Sequence, residues 1–261
     1  MSLLILISPA KTLDYESDLP SLNYSEPQFL DNSEALIEVC KELAPDELAR
    51  LMKISDKLAS LNVARFASWE KSIDFTVARQ AIFAFQGDVY QGLNASSLTE
   101  QDLLFAQNHL KILSGLYGIL RPLDLMRPYR LEMGTKLQNK KGKNLYEFWG
   151  TLLTQYINDY AKKGNIEYLV NLASDEYFNV IKPKLLNIPI IKPVFLDEKN
   201  GQFKTISFYA KRARGLMSRY IITNKIVHKE ALKAFNIEGY SYSKDESSDG
   251  EYVFKRNEII G

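Results

Sequence analysis

The sequence predicts a mixed α/β fold: one domain with a partly antiparallel mixed sheet, flanking helices and a helix-hairpin-helix-like projection. Three observations lead there. Short apolar runs such as Leu3 to Ile7 and Tyr168 to Leu172 read as buried strands, helical spacings of apolar residues lie between such runs, and turn residues at Asp197 to Gly201 separate two strand-like segments. No repeat, low-complexity tract or long Gly/Ser/Pro linker divides the 261 residues, so a single domain over 1–261 is expected.

In chain order, Leu3 to Ile7 is a strand ended by Ser8-Pro9, and a loop carrying Lys11 follows. Asp31 to Leu43 has helical periodicity, and Pro45 stands at a natural first helical position before Leu48, Leu51 and Met52. Ala81 to Phe85 reads as another buried strand, broken by Gly87, with a short helix through Tyr90. Leu110 to Leu113 is strand-like; Gly115, Gly118 and Pro122 then open a long loop bearing Arg121, Arg127, Tyr129 and Arg130. Asn144 to Tyr160 reads as one helix, capped by Asn144 with Glu147 three residues on and closed by Lys162, Lys163 and Gly164. Tyr168 to Leu172 delivers Ser174, Asp175 and Glu176 into the next turn. Ile190 to Leu196 and Gln202 to Phe208 form a hairpin, and Ser207 to Ile221 a further helix.

Composition narrows the functional classes. With 46% hydrophobic and 25% charged residues the chain can bury a large core. No apolar run approaches the ~20 residues that span a bilayer, and the Leu3 to Ile7 run lacks a basic lead, so a cytoplasmic location without membrane contact is expected. One cysteine, Cys40, excludes an intrachain disulfide, and with only His109 and His228 beside it no zinc site of thiolates and imidazoles forms; no cofactor is expected. Cys40 reads as apolar filler in an acidic helix.

The net charge of +1, from 33 basic and 32 acidic residues, hides a separation. Lys182, Lys184, Lys192, Lys199, Lys204, Lys211, Arg212, Arg214 and Arg219 face only Asp197 and Glu198, whereas the first 47 residues are strongly acidic. Such segregation points to an electrostatic partner, most simply a polyphosphate backbone; neutralisation by the acidic helices within the fold is the alternative.

Three stretches carry the candidate contacts. On a helix from Ser207, steps of ~100° place Lys211, Arg212, Arg214, Gly215, Ser218 and Arg219 on one arc and Tyr209, Ala213, Leu216, Met217 and Tyr220 on the other. A glycine on the cationic arc is explained if a ligand approaches the backbone there. Ala44 to Trp69 resembles a helix-hairpin-helix, with Ser60, Leu61 and Asn62 where the hairpin's glycine, apolar residue and glycine normally stand, and Lys53, Lys57 and Arg65 as basic contacts. Two short helices joined by a polar turn also serve simply as packing units. The third cluster is Arg121, Arg127, Arg130 and Lys136, with Tyr129 available to stack on a base. The expected DNA-contacting set is Lys53, Lys57, Arg65, Arg121, Arg127, Arg130, Lys192, Lys204, Lys211, Arg212, Arg214 and Arg219.

Catalytic patterns are weaker. Ser8 and Lys11 follow a strand without a nucleophile elbow, and Asp14, Asp88, Glu132, Asp175 and Glu176 lack a spacing that demands Mg²⁺. Asp175 and Glu176 are expected to cap the next helix. A metal-dependent enzyme acting on a nucleotide or nucleic acid stays open as the second reading.

Long collinear strings carry a resemblance: LILISPAKTLDY at Leu4 to Tyr15, MKISDKLA at Met52 to Ala59, LSGLYGILRPLDLMRPYRLEMG at Leu113 to Gly134, NLASDEYF at Asn171 to Phe178, IKPVFLDEKNG at Ile191 to Gly201, ISFYAKRARGLMSRY at Ile206 to Tyr220 and GEYVFKR at Gly250 to Arg256. Together they resemble the YaaA family of bacterial peroxide-stress proteins. The resemblance implies a cytoplasmic protein that restrains free intracellular iron and limits oxidative damage. It also implies a fold outside the common superfolds, with a helix-hairpin-helix-like projection and a basic cleft suited to double-stranded or distorted DNA. No obligate protein partner is implied, and direct iron storage has no evident ligand set.

Overall fold

A computed structural model describes residues 2–20 and 23–258. The first half contains β1 (Leu3–Ile7), β2 (Thr12–Leu13), α1 (Leu30–Lys41), α2 (Pro45–Met52), α3 (Asp56–Ala67), β3 (Arg79–Gln80), α4 (Ala81–Ala84), β4 (Phe85–Gln86), α5 (Asp88–Leu93), α6 (Glu100–His109), β5 (Leu110–Ser114), β6 (Gly118–Leu120) and β7 (Leu125–Met126). The second half contains α7 (Leu145–Trp149), α8 (Leu152–Gly164), β8 (Tyr168–Leu172), α9 (Asp175–Phe178), β9 (Ile190–Lys199), β10 (Gln202–Lys204), α10 (Ser207–Thr223), β11 (Ser241–Tyr242) and β12 (Glu251–Arg256).

The main sheet is mixed, as expected. All five residues of β1 are buried, and a strand buried on both faces needs both edges paired. It runs parallel to β5, with Ile5 opposite Leu110, and parallel to β8, from Leu3 opposite Tyr168 to Ile7 opposite Leu172. β8 continues in parallel to β9, and β9 to β12. Numbered along the chain, the parallel strands lie in the order second, first, third, fourth, fifth, as in flavodoxin-type sheets. Antiparallel additions set this sheet apart: β6 on β5, β11 on β12, and β10 against the far end of β9.

Several elements differ from their expected form. The apolar run at Ala81 is one turn of helix, because Ala81 and Ile82 N–H groups donate to the Asp124 and Pro122 carbonyls; only Phe85–Gln86 is extended, pairing with β2. A short buried apolar run fits either conformation. The helix expected from Asn144 to Tyr160 is two, since Gly150 takes a positive φ of 52° between α7 and α8. The long loop after β5 contains β6 and β7 and is largely buried. The hairpin turn is tighter than expected: β9 extends to Lys199 and only Asn200 and Gly201, at φ 55° and 73°, turn the chain. Asp197 is therefore a buried strand residue; it accepts from the Arg256 guanidinium at 2.6 Å and the Tyr240 hydroxyl at 3.1 Å.

The two arcs expected on α10 are largely redistributed. Gly215 and Ser218 are buried and Tyr209 is exposed. α10 crosses α5 so closely that a Cβ on Gly215 would lie 1.9 Å from the Val89 carbonyl oxygen, and one on Gly92 2.3 Å from that of Arg212. Gly215 thus serves helix-helix contact, which offsets the ~1 kcal/mol propensity cost of a mid-helix glycine. Cys40 is buried filler, as expected, and burial pushes its thiol up to about 12.

Lys111, on β5, is fully buried. Its ammonium donates to the Gln107 carbonyl at 3.3 Å and lies 4.1 Å from the Tyr160 ring centre. Burial brings its pKa down to about 7, partly opposed by Asp124.

Two measurements check these packing relations. Gly215→Ala should cost about 1–3 kcal/mol in urea unfolding by overpacking the α5–α10 crossing, and an unchanged midpoint would refute the close approach. For Lys111, the unfolded amine titrates near ~10.4, so between pH 7 and pH 10 the unfolded chain binds more protons and stability rises with pH. Lys111→Met should flatten that rise and stabilise the protein most at and below neutral pH; a parallel pH profile for both proteins would show that Lys111 is not the titrating group.

Candidate nucleic-acid interface and strand-end crevice

The α2–α3 unit is a compact helical hairpin. Pro45 opens α2, the Glu47 carboxylate accepts from Ala44 N–H at 2.8 Å, and α3 begins after Ser55, whose hydroxyl accepts from Leu58 N–H at 3.4 Å. The turn between them is Lys53-Ile54-Ser55, with Lys53 left-handed at φ 53°. The hairpin therefore lies seven residues before the expected Ser60-Leu61-Asn62. Those residues are inside α3, where the buried Asn62 amide donates to the Leu58 carbonyl at 2.7 Å. The signal that locates the true turn is Ser55-Asp56 before an apolar-periodic run, an N-cap pattern.

Of the expected contacts on this unit, Lys53 and Lys57 are exposed at the hairpin and form no ion pair among the described residues. Arg65 is half-buried near the far end of α3. Burial lowers its pKa, opposed by Tyr15, and the guanidinium has no hydrogen-bond partner among the described residues. Arg65 and Arg127 border one hollow with Ser68, Val77 and Pro128.

The arginines of the loop after β5 have a different job from the one expected. Arg121 lies 2.9 Å from the buried Asp124 carboxylate and donates to the Glu26 carbonyl at 2.8 Å. Arg127 donates to the Ser68 and Ser72 carbonyls at 2.8 and 3.1 Å, and Arg130 donates twice to Glu132 at 3.0 and 3.1 Å. A guanidinium fork suits such internal work, because its several donors satisfy carbonyls that the loop cannot bond otherwise. Tyr129 is 5% exposed and shares a 2.6 Å hydrogen bond with Ser114, so no base can stack on it.

The α10 string divides in the same way. Arg212 pairs with Glu238 at 3.0 Å, and Arg219 closes the end of α5 by donating to the Leu93 and Asn94 carbonyls, both at 3.0 Å. Lys211 is exposed, as is Lys204 on β10, neither with an ion-pair partner among the described residues. Next to them the rings of Phe208 and Tyr209 are 54% and 42% exposed. Lys192 stands 3.6 Å from Asp175, a loose pair. Arg214 is partly buried, forms no hydrogen bond or ion pair among the described residues, and has its pKa lowered by burial against the opposing charge of Asp175.

Sequence reasoning gave little weight to the crevice where β1 and β8 end. The Ser8 hydroxyl donates to Ser174 Oγ at 3.2 Å, and Ser174 N–H donates back to Ser8 Oγ at 2.8 Å. The Tyr90 hydroxyl donates to the Ser8 carbonyl at 3.1 Å, so α5 is fastened to the end of β1. Ser174 is the residue before α9, yet no side-chain cap forms there; Glu176, expected to cap, accepts instead from Gly134 N–H at 3.1 Å. Asp14, Asp88, Glu132, Asp175 and Glu176 do not converge, and no group of three or more His, Cys, Asp or Glu among the described residues is placed to hold a metal ion.

No described helix is long and apolar enough to cross a membrane. The fold and these surfaces define a mixed α/β protein with a parallel core, a helical hairpin at its periphery and a polar crevice at its strand ends. The sequence profile of one family, described as peroxide stress protein YaaA, matches residues 3–246. The chain belongs to that family.

If Arg121 is internal mortar, Arg121→Ala should cost about 3–5 kcal/mol by leaving the Asp124 carboxylate buried without its partner, whereas Lys204→Ala should stay within about 0.5 kcal/mol of the parent. Chemical denaturation of both variants checks the contrast; equal stabilities would return Arg121 to the surface set.

Proposed function

We propose that this protein contributes to peroxide-stress defence by binding double-stranded or distorted DNA through its phosphate backbone, largely without reading bases. The observation that carries this reading is the α2–α3 hairpin: Lys53, in its three-residue turn, and Lys57, in the first turn of the twelve-residue α3, both stand in solvent. Helix N-terminal N–H groups and unpaired ammonium groups both favour phosphate oxygens. Lys204 and Lys211 are further exposed cations without an ion-pair partner among the described residues. Arg121, Arg127, Arg130, Arg212 and Arg219 are left out of the interface, because each is already engaged within the fold.

The restraint on free iron that the family resemblance implies enters here as an indirect effect. His109 stacks on Phe105 and bonds to Ser2, and Cys40 is buried, so neither is available as a first ligand for iron. Protection then acts at the nucleic acid, where iron-driven radicals do their damage.

Fluorescence anisotropy of a labelled duplex at several salt concentrations tests the proposal. Neutralising about four phosphates gives a slope of log affinity against log salt near ~−3.6. Lys53→Glu combined with Lys57→Glu should weaken binding to every sequence alike and flatten the slope. Unchanged affinity in that variant would remove the hairpin from the interface.

A further inference from the structure

Arg79 is buried without the partners a guanidinium needs. Pairing of β3 with β7 sets it opposite Met126, and only 6% of the residue is exposed. Nε has no hydrogen-bond partner, one terminal amine donates to the Asp18 carbonyl at a long 3.4 Å, and no ion pair forms among the described residues. A cation that has given up water without recovering acceptors is costly unless an anion arrives.

Arg79 lines a cavity of about 490 Å³ between the loop after β2, α4 and the end of α5. That volume lies within the range of about 300–1,000 Å³ usual for small-molecule pockets. Asp14 lines the same cavity and is held firmly: its N–H donates to the Ala84 carbonyl at 2.8 Å, and its Oδ1 accepts from the Glu16 and Ser17 N–H groups at 2.9 and 3.0 Å. The Ser17 hydroxyl together with these N–H groups brings its pKa down to about 2, so the carboxylate is charged at neutral pH. Two fixed, opposite charges therefore border one cavity without pairing with each other, and a second acidic residue, Asp18, lines it as well.

This charge pattern selects among ligands. A phosphate or a simple carboxylate would satisfy Arg79 but meet Asp14 and Asp18 as like charges, and a bare cation would do the reverse. A neutral base could hydrogen-bond to both groups yet leave the buried guanidinium without a counter-charge. A zwitterion answers both needs, its carboxylate matching the guanidinium fork and its ammonium the Asp14 carboxylate. Phe85 adds an apolar wall, and the exposed Gln91 and Asn94 at the rim offer amides to a ligand side chain.

We propose that this cavity binds a free α-amino acid, with its carboxylate on Arg79 and its ammonium on Asp14. None of Lys53, Lys57, Lys204 and Lys211 is among its described lining residues, so the proposal does not rest on the DNA-binding reading.

Isothermal titration of the full chain with the common protein amino acids, one at a time and without nucleic acid, tests it. Saturable binding of at least one is expected. Its amide, which lacks the carboxylate, and its N-acetyl form, which lacks the ammonium, should each bind about tenfold more weakly or worse, and inorganic phosphate and guanosine more weakly than the amino acid. Asp14→Asn keeps the Oδ1 acceptor for the two loop N–H groups but removes the charge, and should weaken the amino acid about tenfold; Arg79→Gln should do at least as much. Far-UV circular dichroism and melting check that each variant folds, and Asp14→Asn decides the matter if Arg79→Gln does not. No saturable binding of any amino acid at millimolar concentration, equal affinity for the amide or the N-acetyl form, tighter binding of phosphate or guanosine, or full affinity in folded Asp14→Asn would overturn the assignment.

Discussion

The structure depends on the parallel pairing of β1 with β5 and β8. Five consecutive apolar residues with no exposed atom leave a backbone whose donors and acceptors must all be met by neighbouring strands. Once Leu3 to Ile7 lie opposite Tyr168 to Leu172, the loops after the two strands emerge side by side, and Ser8 and Ser174 come within hydrogen-bond reach across 166 residues of chain. Sheet register, not local sequence, creates the crevice.

A second close contact transmits this placement to α10. Gly92 and Gly215 let two helices approach until the backbone of each occupies the space a side chain would fill. The crossing explains why the cationic string from Lys211 to Arg219 does not form a uniform face. Helical geometry spreads these residues around the axis, and α5 covers part of it, so Arg219 becomes a cap for the neighbouring helix, Arg214 is carried partly inside and Lys211 remains in water.

Much of the core was legible in the sequence because its signals are local. The strands at Leu3 and Tyr168, the helix from Asp31, Pro45 at the start of α2 and the turn before Gln202 all follow from apolar runs, caps or positive-φ residues. The failures occur where a tertiary contact decides. Ala81 to Ala84 coils because carbonyls from the segment after β6 take its N–H groups, and Gly150 splits a helix that reads as continuous. For the site, residue type was readable and residue commitment was not. Arg121, Arg127 and Arg130 look like a phosphate-binding loop, but their acceptors are Asp124, the Ser68 carbonyl and Glu132, two of which sit two or three residues away and could equally have faced solvent.

Arginine and lysine divide the work along physical lines. The arginines mostly hold carbonyls and carboxylates inside, where a weakly hydrated planar cation loses least, and the exposed lysines at the hairpin and on β10 stay fully hydrated. Arg214 departs from this division, being partly buried yet without an acceptor among the described residues. Hydrated lysines on a hairpin act through a field that salt screens over about 10 Å. A desolvated guanidinium acts at contact and is screened far less.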